Sequence, residues 1–126
     1  MKKTLMIAAA AAFVMAGMVT APAAAHANAL AKCKACHHLD SDKKKVGPGL
    51  KGVFGRAAGT MGDMKYSKSL ANGGWTWDAA HLEKWVCNSK DAIKEFTGDD
   101  HAKTKMPPQK KCGDAAAEVV AALKAL

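Results

Sequence analysis

The stretch Cys33-Lys34-Ala35-Cys36-His37 decides how the rest of the sequence is interpreted. Two cysteines three positions apart lie on one side of a helical turn, so both can form thioethers with the vinyl groups at one edge of a porphyrin. The histidine that follows can place its imidazole beneath the iron. The pattern therefore predicts one covalent c-type haem, with thioethers at Cys33 and Cys36 and with His37 as the proximal iron ligand.

Two other interpretations of a C-x-x-C pair fit this sequence less well. A thioredoxin-like redox pair needs a strand–helix–strand context, and no alternating strand pattern surrounds these residues. A zinc site would have to recruit Cys87 and Cys112, which lie far apart and form no second C-x-x-C.

Residues 1–27 are predicted to be a cleavable secretory signal peptide. Lys2 and Lys3 precede an apolar run, and small residues allow cleavage after Ala25 or after Ala27. An uncleaved membrane anchor is the alternative, which the proline and the dense alanines before the cleavage site disfavour. We expect export to the bacterial periplasm, no stable membrane insertion afterwards, and a mature domain over 28–126.

The mature region is predicted to be all-α, with short helices and long loops. Apolar residues recur at helical spacing and few runs alternate as strands do. Thr76 or Asp78 is expected to cap one helix and Asp114 the last one. Long loops with many glycines and lysines leave little apolar core, which indicates that the chain wraps a bulky cofactor. The expected helices lie at 26–36, 67–72, 79–86, 91–96 and after residue 114.

The sixth iron ligand has several candidates. Met106 lies in a downstream loop before two prolines that stiffen it, and a thioether favours reduced iron. Met61, Met64 and His101 are alternatives, whereas His81 is expected to be a solvated residue on a helix. These residues alone leave the choice open.

The sequence resembles the class I cytochromes c, in their mitochondrial-type and cytochrome c2 branch. The resemblance runs from Cys33 to Leu126 and includes the segment Gly47-Pro48-Gly49-Leu50-Lys51-Gly52-Val53-Phe54-Gly55-Arg56, followed by Tyr66-Ser67, Gly74-Trp75-Thr76-Trp77 and Thr104-Lys105-Met106. It implies the small class I fold around one haem, His37 and Met106 as the axial ligands, and a carrier of single electrons that is not an enzyme.

The resemblance also implies roles around the haem. The Pro48 carbonyl would accept a hydrogen bond from His37, and Trp85 would lie near the methionine sulfur. Hydrogen bonds to the haem propionates would come from Arg56, Tyr66, Trp77 and Thr104.

The remaining cysteines, Cys87 and Cys112, are unusual for this branch. Export favours a disulfide between them, which would close the loop that carries Met106. Two separate buried thiols are the alternative.

The basic charge indicates the kind of partner. The formal net charge is +8, and removal of the signal peptide takes away two lysines. We expect a monomer that docks on acidic redox proteins and not on nucleic acid. A haem subunit of a larger complex and a haem enzyme or gas-binding protein with a labile sixth ligand are the alternatives. The lysines that flank the haem segments are Lys32, Lys34, Lys43, Lys44, Lys45, Lys51, Lys65, Lys68, Lys105, Lys110 and Lys111.

Overall fold

A computed structural model describes residues 23–126 of the chain, and this part is helical, as predicted. Within these residues the only strand-like feature is an isolated bridge between Ala57 and Thr76. The helices are α1 (Ala23–Ala29), a 3-10 turn (Cys33–Ala35), α2 (Lys68–Ala71), α3 (Ala79–Cys87), α4 (Ser89–Thr97) and α5 (Asp114–Lys124).

Side-chain caps determine where three of the helices begin. The Ser67 hydroxyl accepts from the backbone N–H of residue 70, the Asp78 carboxylate from that of residue 81, and the Asn88 amide oxygen from that of residue 91. Each contact provides an acceptor for a donor that the first helical turn leaves unpaired. Of the two caps expected for α3, Asp78 is the one used. Helix α4 begins at Ser89, earlier than predicted, because Asn88 caps it.

Two sequence expectations about helix ends are wrong. Asp114 is the first residue of α5 and not its cap, because Gly113 precedes it with a φ of 57° and no side-chain cap bond forms. The single helix expected over 26–36 is divided into α1 and the separate 3-10 turn at Cys33. Helix α1 begins at Ala23, inside the predicted signal peptide, whose residues 1–22 lie outside the described residues, so that prediction stays untested.

The core lies where α3, α5 and α1 pack together. Leu82 and Val86 of α3 and Val119 and Leu123 of α5 are all buried, and these same residues line a cleft on one side of the helices. Leu30, which follows α1, is buried beside them. The long loops over 38–66 and 98–113 form the other walls of the cleft. No helix of the described part is both long and apolar enough to cross a bilayer.

An aromatic cluster packs around Trp85 of α3. Trp77 and Trp85 meet edge to face with ring centroids 5.1 Å apart, and Trp75 meets Trp77 at 5.6 Å. Phe96 of α4 contacts the Trp75 ring at 5.1 Å. The indole N–H of Trp75 is buried without a hydrogen-bond partner, whereas that of Trp85 has one at the cleft.

Candidate haem site

The cleft between the helices and the long loops contains the predicted cofactor residues. Its empty volume is about 1220 Å³, open solvent at the mouth included, and its lining is mainly apolar. A mainly apolar lining with a few polar side chains is typical of cofactor sites. Both motif cysteines, His37 and Met106 line it.

His37 is held in one orientation and one protonation state. Its Nδ1 lies 2.7 Å from the Pro48 carbonyl oxygen. Because a carbonyl only accepts, Nδ1 carries the hydrogen and Nε2 keeps a free lone pair. Burial lowers the pKa of His37, and the bond to Pro48 opposes that shift only in part. The backbone also approaches the ring closely, since a Cβ added to Gly47 would overlap the imidazole.

The two motif cysteines both line the cleft, and neither takes part in a disulfide. Each is partly buried. Burial raises the pKa of Cys33, although the charges of Lys111 and Lys32 lower it in part. Apolar surroundings therefore favour the neutral thiol at this position.

Met106 reaches the cleft from the loop that precedes α5. The Trp85 indole Nε1–H donates to its sulfur at 3.1 Å, so the aromatic expected near the methionine is in contact with it. The Thr104 hydroxyl accepts from the Met106 backbone N–H at 3.3 Å. The cleft also contains Met64, which stays a competitor for the sixth position.

The other sixth-ligand candidates lie away from the cleft lining. The Arg56 guanidinium contacts the Met61 sulfur at 3.7 Å. The His81 ring bonds the Asp78 carboxylate and His101 is exposed in its loop. Neither histidine lines the cleft.

The residues expected to bind the propionates all line the same cleft. The guanidinium of Arg56 donates to the carbonyl oxygens of Gly49 at 3.2 Å and Lys51 at 3.3 Å. The Tyr66 hydroxyl accepts from the backbone N–H of residue 61 at 3.0 Å. Trp77 is buried at the cleft wall. Burial lowers the pKa of Arg56, but a guanidinium stays charged in proteins and offers several donors.

The loop that carries Met106 is attached to the C-terminal end of α3 and to the start of α4. Cys87 and Cys112 are paired as a disulfide with a Cα–Cα distance of 4.5 Å. Next to this pair, the Lys110 backbone N–H donates to the Cys87 carbonyl at 3.1 Å. Ser89, the first residue of α4, donates its hydroxyl to the Met106 carbonyl at 2.7 Å. Sequence reasoning missed Ser89, because nothing in the local pattern distinguishes it from an ordinary first residue of a helix.

The residues of the cleft fit a covalently bound haem. Two cysteines outside any disulfide line the same cleft as an imidazole whose Nε2 has its lone pair available, and a thioether lines it too. Imidazole and thioether are a ligand set that proteins use for haem iron. An apolar lining suits the macrocycle, and Arg56 offers charge for its carboxylates.

Known proteins are similar to this chain in sequence and in fold. No protein-family model matches the chain. Cytochrome c2 of Rhodospirillum rubrum is 38% identical over 115 residues, which covers 88% of this chain and 85% of that protein. Cytochrome c2 iso-2 of Magnetospirillum fulvum is 45% identical over 65 residues, or 52% of this chain and 68% of that protein. The solved structure of cytochrome c2 from Rhodospirillum centenum superposes with a TM-score of 0.73 at 28% identity, over 81% of this chain and 95% of that one.

The helical fold around a C-x-x-C-H cleft defines a c-type cytochrome of class I. The relatives then show that the chain belongs to the cytochrome c2 family. The expected cofactor is confirmed as one covalently bound c-type haem, and the protein is an electron carrier and not an enzyme.

Proposed function

We propose that this protein is a diffusible periplasmic carrier of single electrons, with its haem attached to Cys33 and Cys36 and its iron bound by His37 and Met106. One observation carries the proposal: these four side chains line a single cleft, and the bond to Pro48 places the His37 proton on Nδ1, which leaves Nε2 unprotonated. The signal peptide over 1–27 and the mature domain over 28–126 are part of the proposal.

The chain's residues suit electron exchange without substrate chemistry. When bound, the haem supplies an iron that alternates between two oxidation states. His37 and Met106 would occupy both axial positions, which leaves no open position for a substrate. The Trp85 N–H draws electron density from the Met106 sulfur and so favours the reduced iron.

The wall of the cleft supports binding of the haem propionates. Arg56, Tyr66 and Trp77 lie at the lining with polar side-chain atoms. Thr104 is also at the lining, and its hydroxyl has a second function there because it accepts from the Met106 N–H. We propose all four as propionate partners, with Arg56 as the charged one.

The mouth of the cleft supports docking on acidic redox partners. Lys65, Lys105 and Val46 all line the cleft, and Val46 is the exposed large apolar residue of the described part, at 71%. Lysines and an exposed apolar residue at one cleft suit a weak, short-lived interface that releases its partner quickly. We propose that the protein is a monomer in this exchange.

Optical spectroscopy tests the iron ligands. We expect the oxidised protein to show the weak red-end absorption band of a methionine–iron bond and the Met106→Ala variant to lose it. Met64→Ala is the matched control, because Met64 lines the same cleft, and it should keep the band. Loss of the band in Met64→Ala and its retention in Met106→Ala would contradict the assignment. Avid carbon monoxide binding by the native reduced protein would favour the gas-binding or enzymatic alternative.

The salt dependence of electron exchange tests the docking surface. Oxidation of the reduced protein by an anionic iron complex should slow as ionic strength rises, and oxidation by a cationic cobalt complex should accelerate. The same slope for both reagents would contradict a basic rim at the haem.

A further inference from the structure

We propose that Ser89 is a positioning residue for the sixth iron ligand, and this inference rests on the proposed function of Met106. Ser89 is 0% exposed, and among the described residues it is the one polar or charged residue that is buried. Its hydroxyl donates to the Met106 carbonyl oxygen at 2.7 Å. The contact crosses from the first residue of α4 to the loop that carries the ligand.

The other bonds from the backbone of the loop around Met106 to the helices lie at least three residues away from Met106. The Lys103 N–H donates to the Ser69 hydroxyl, and the Lys110 and Lys111 N–H groups donate to the carbonyls of Cys87 and Val86. Residues 102–112 form no helix or strand, and Pro107 and Pro108 have no N–H to donate. The Met106 N–H is bonded only within the loop, to Thr104 at 3.3 Å. The bond from Ser89 is therefore the link between the Met106 backbone and a regular helix.

The helix that supplies this hydroxyl is well fixed. Asn88 caps its first turn, and Ile93 one turn further on is 0% exposed. Trp85 of α3 holds the Met106 sulfur while Ser89 of α4 holds its carbonyl. Two helices thus fix both the side chain and the backbone of one residue, which defines the position of the sulfur.

The expected effect follows from the population of protein in which Met106 is released. Removing one partner of a buried hydrogen bond leaves the other unsatisfied, which changes an equilibrium by about tenfold. An external ligand such as imidazole binds only the released form, so its apparent affinity scales with that population. Ser89→Ala should therefore bind imidazole about tenfold more tightly than the native protein.

The test compares imidazole titrations of the oxidised haem protein, followed by loss of the red-end band. Thr97→Val is the matched control, because Thr97 at the other end of α4 also donates its hydroxyl to a backbone carbonyl, that of Ile93 at 2.6 Å. A merely structural role would make both variants less stable to urea and leave imidazole affinity unchanged. A positioning role raises the imidazole affinity of Ser89→Ala alone.

Further variants complete the test. Ser89→Thr keeps a hydroxyl and should restore native imidazole affinity. If the Ser89→Ala protein fails to retain haem, Ser89→Gly is measured in its place, because it also lacks the hydroxyl. Equal affinity in Ser89→Ala and the native protein, or an equal rise in Thr97→Val, would overturn the inference. Failure of the proposed function is distinguishable, since the native protein itself would then lack the red-end band before any titration.

Discussion

Replacing Trp85 with phenylalanine should lower the reduction potential of the haem. The substitution keeps an aromatic ring that can meet Trp77 but removes the N–H that lies 3.1 Å from the Met106 sulfur. That N–H places the positive end of a dipole beside the sulfur proposed as an iron ligand, which disfavours the oxidised, more positive iron. Its removal makes the oxidised state easier to reach.

The magnitude follows from the strength of one hydrogen bond. Such a bond contributes about 0.5–1.5 kcal/mol net, and only the part that differs between oxidation states acts on the potential. For a one-electron couple, a tenfold change in equilibrium corresponds to about 59 mV. If roughly half of the bond depends on oxidation state, the potential of Trp85→Phe should fall by about 10–30 mV.

Trp75→Phe is the control for this measurement. Trp75 belongs to the same aromatic cluster and is equally buried, but its N–H has no partner and it does not line the cleft. Potentiometric titration followed by absorbance should give a native potential for Trp75→Phe. An unchanged or raised potential in Trp85→Phe, or the same decrease in both variants, would refute the role given to the indole.

Three further predictions concern stability. Gly47→Ala should destabilise the fold by about 1–3 kcal/mol, because the added Cβ would overlap the His37 ring. Each 1 kcal/mol lowers the thermal midpoint by roughly 4–8 °C in a domain of this size. A native midpoint in calorimetry would contradict this. Joint replacement of Cys87 and Cys112 by serine should reduce the free energy of unfolding in urea by about 3 kcal/mol, whereas alkylation of both native thiols without reductant would disprove the disulfide. Backbone and side-chain hydrogen bonds from His81 lower the pKa of Asp78, so the ionised carboxylate stabilises the folded state at neutral pH. The thermal midpoint of Asp78→Ala should therefore lie below the native one at neutral pH and converge with it below about pH 4. A gap that widens in acid would contradict the cap.

Much of the site could be predicted because it depends on local sequence. The motif Cys33-Lys34-Ala35-Cys36-His37 predicts the attachment points through spacing alone, and a helix cap such as Asp78 acts on the turn that follows it. The contact from His37 to Pro48 was also foreseen, although through the family resemblance and not through spacing.

What could not be predicted depends on contacts between distant segments. Ser89 is an ordinary helix-start residue in sequence, and only the fold brings it against Met106. Thr104 was expected at the propionates, but whether its hydroxyl faces the cleft or the Met106 N–H depends on the path of the loop. His101 shares that loop and was a reasonable ligand, yet the chain carries it to the surface.

The mass of the purified protein tests the central claim most directly. Digestion and mass spectrometry should find one haem covalently attached to the peptide that contains Cys33, Cys36 and His37, with neither cysteine open to alkylation. A colourless protein in which both thiols react with an alkylating agent would contradict the account.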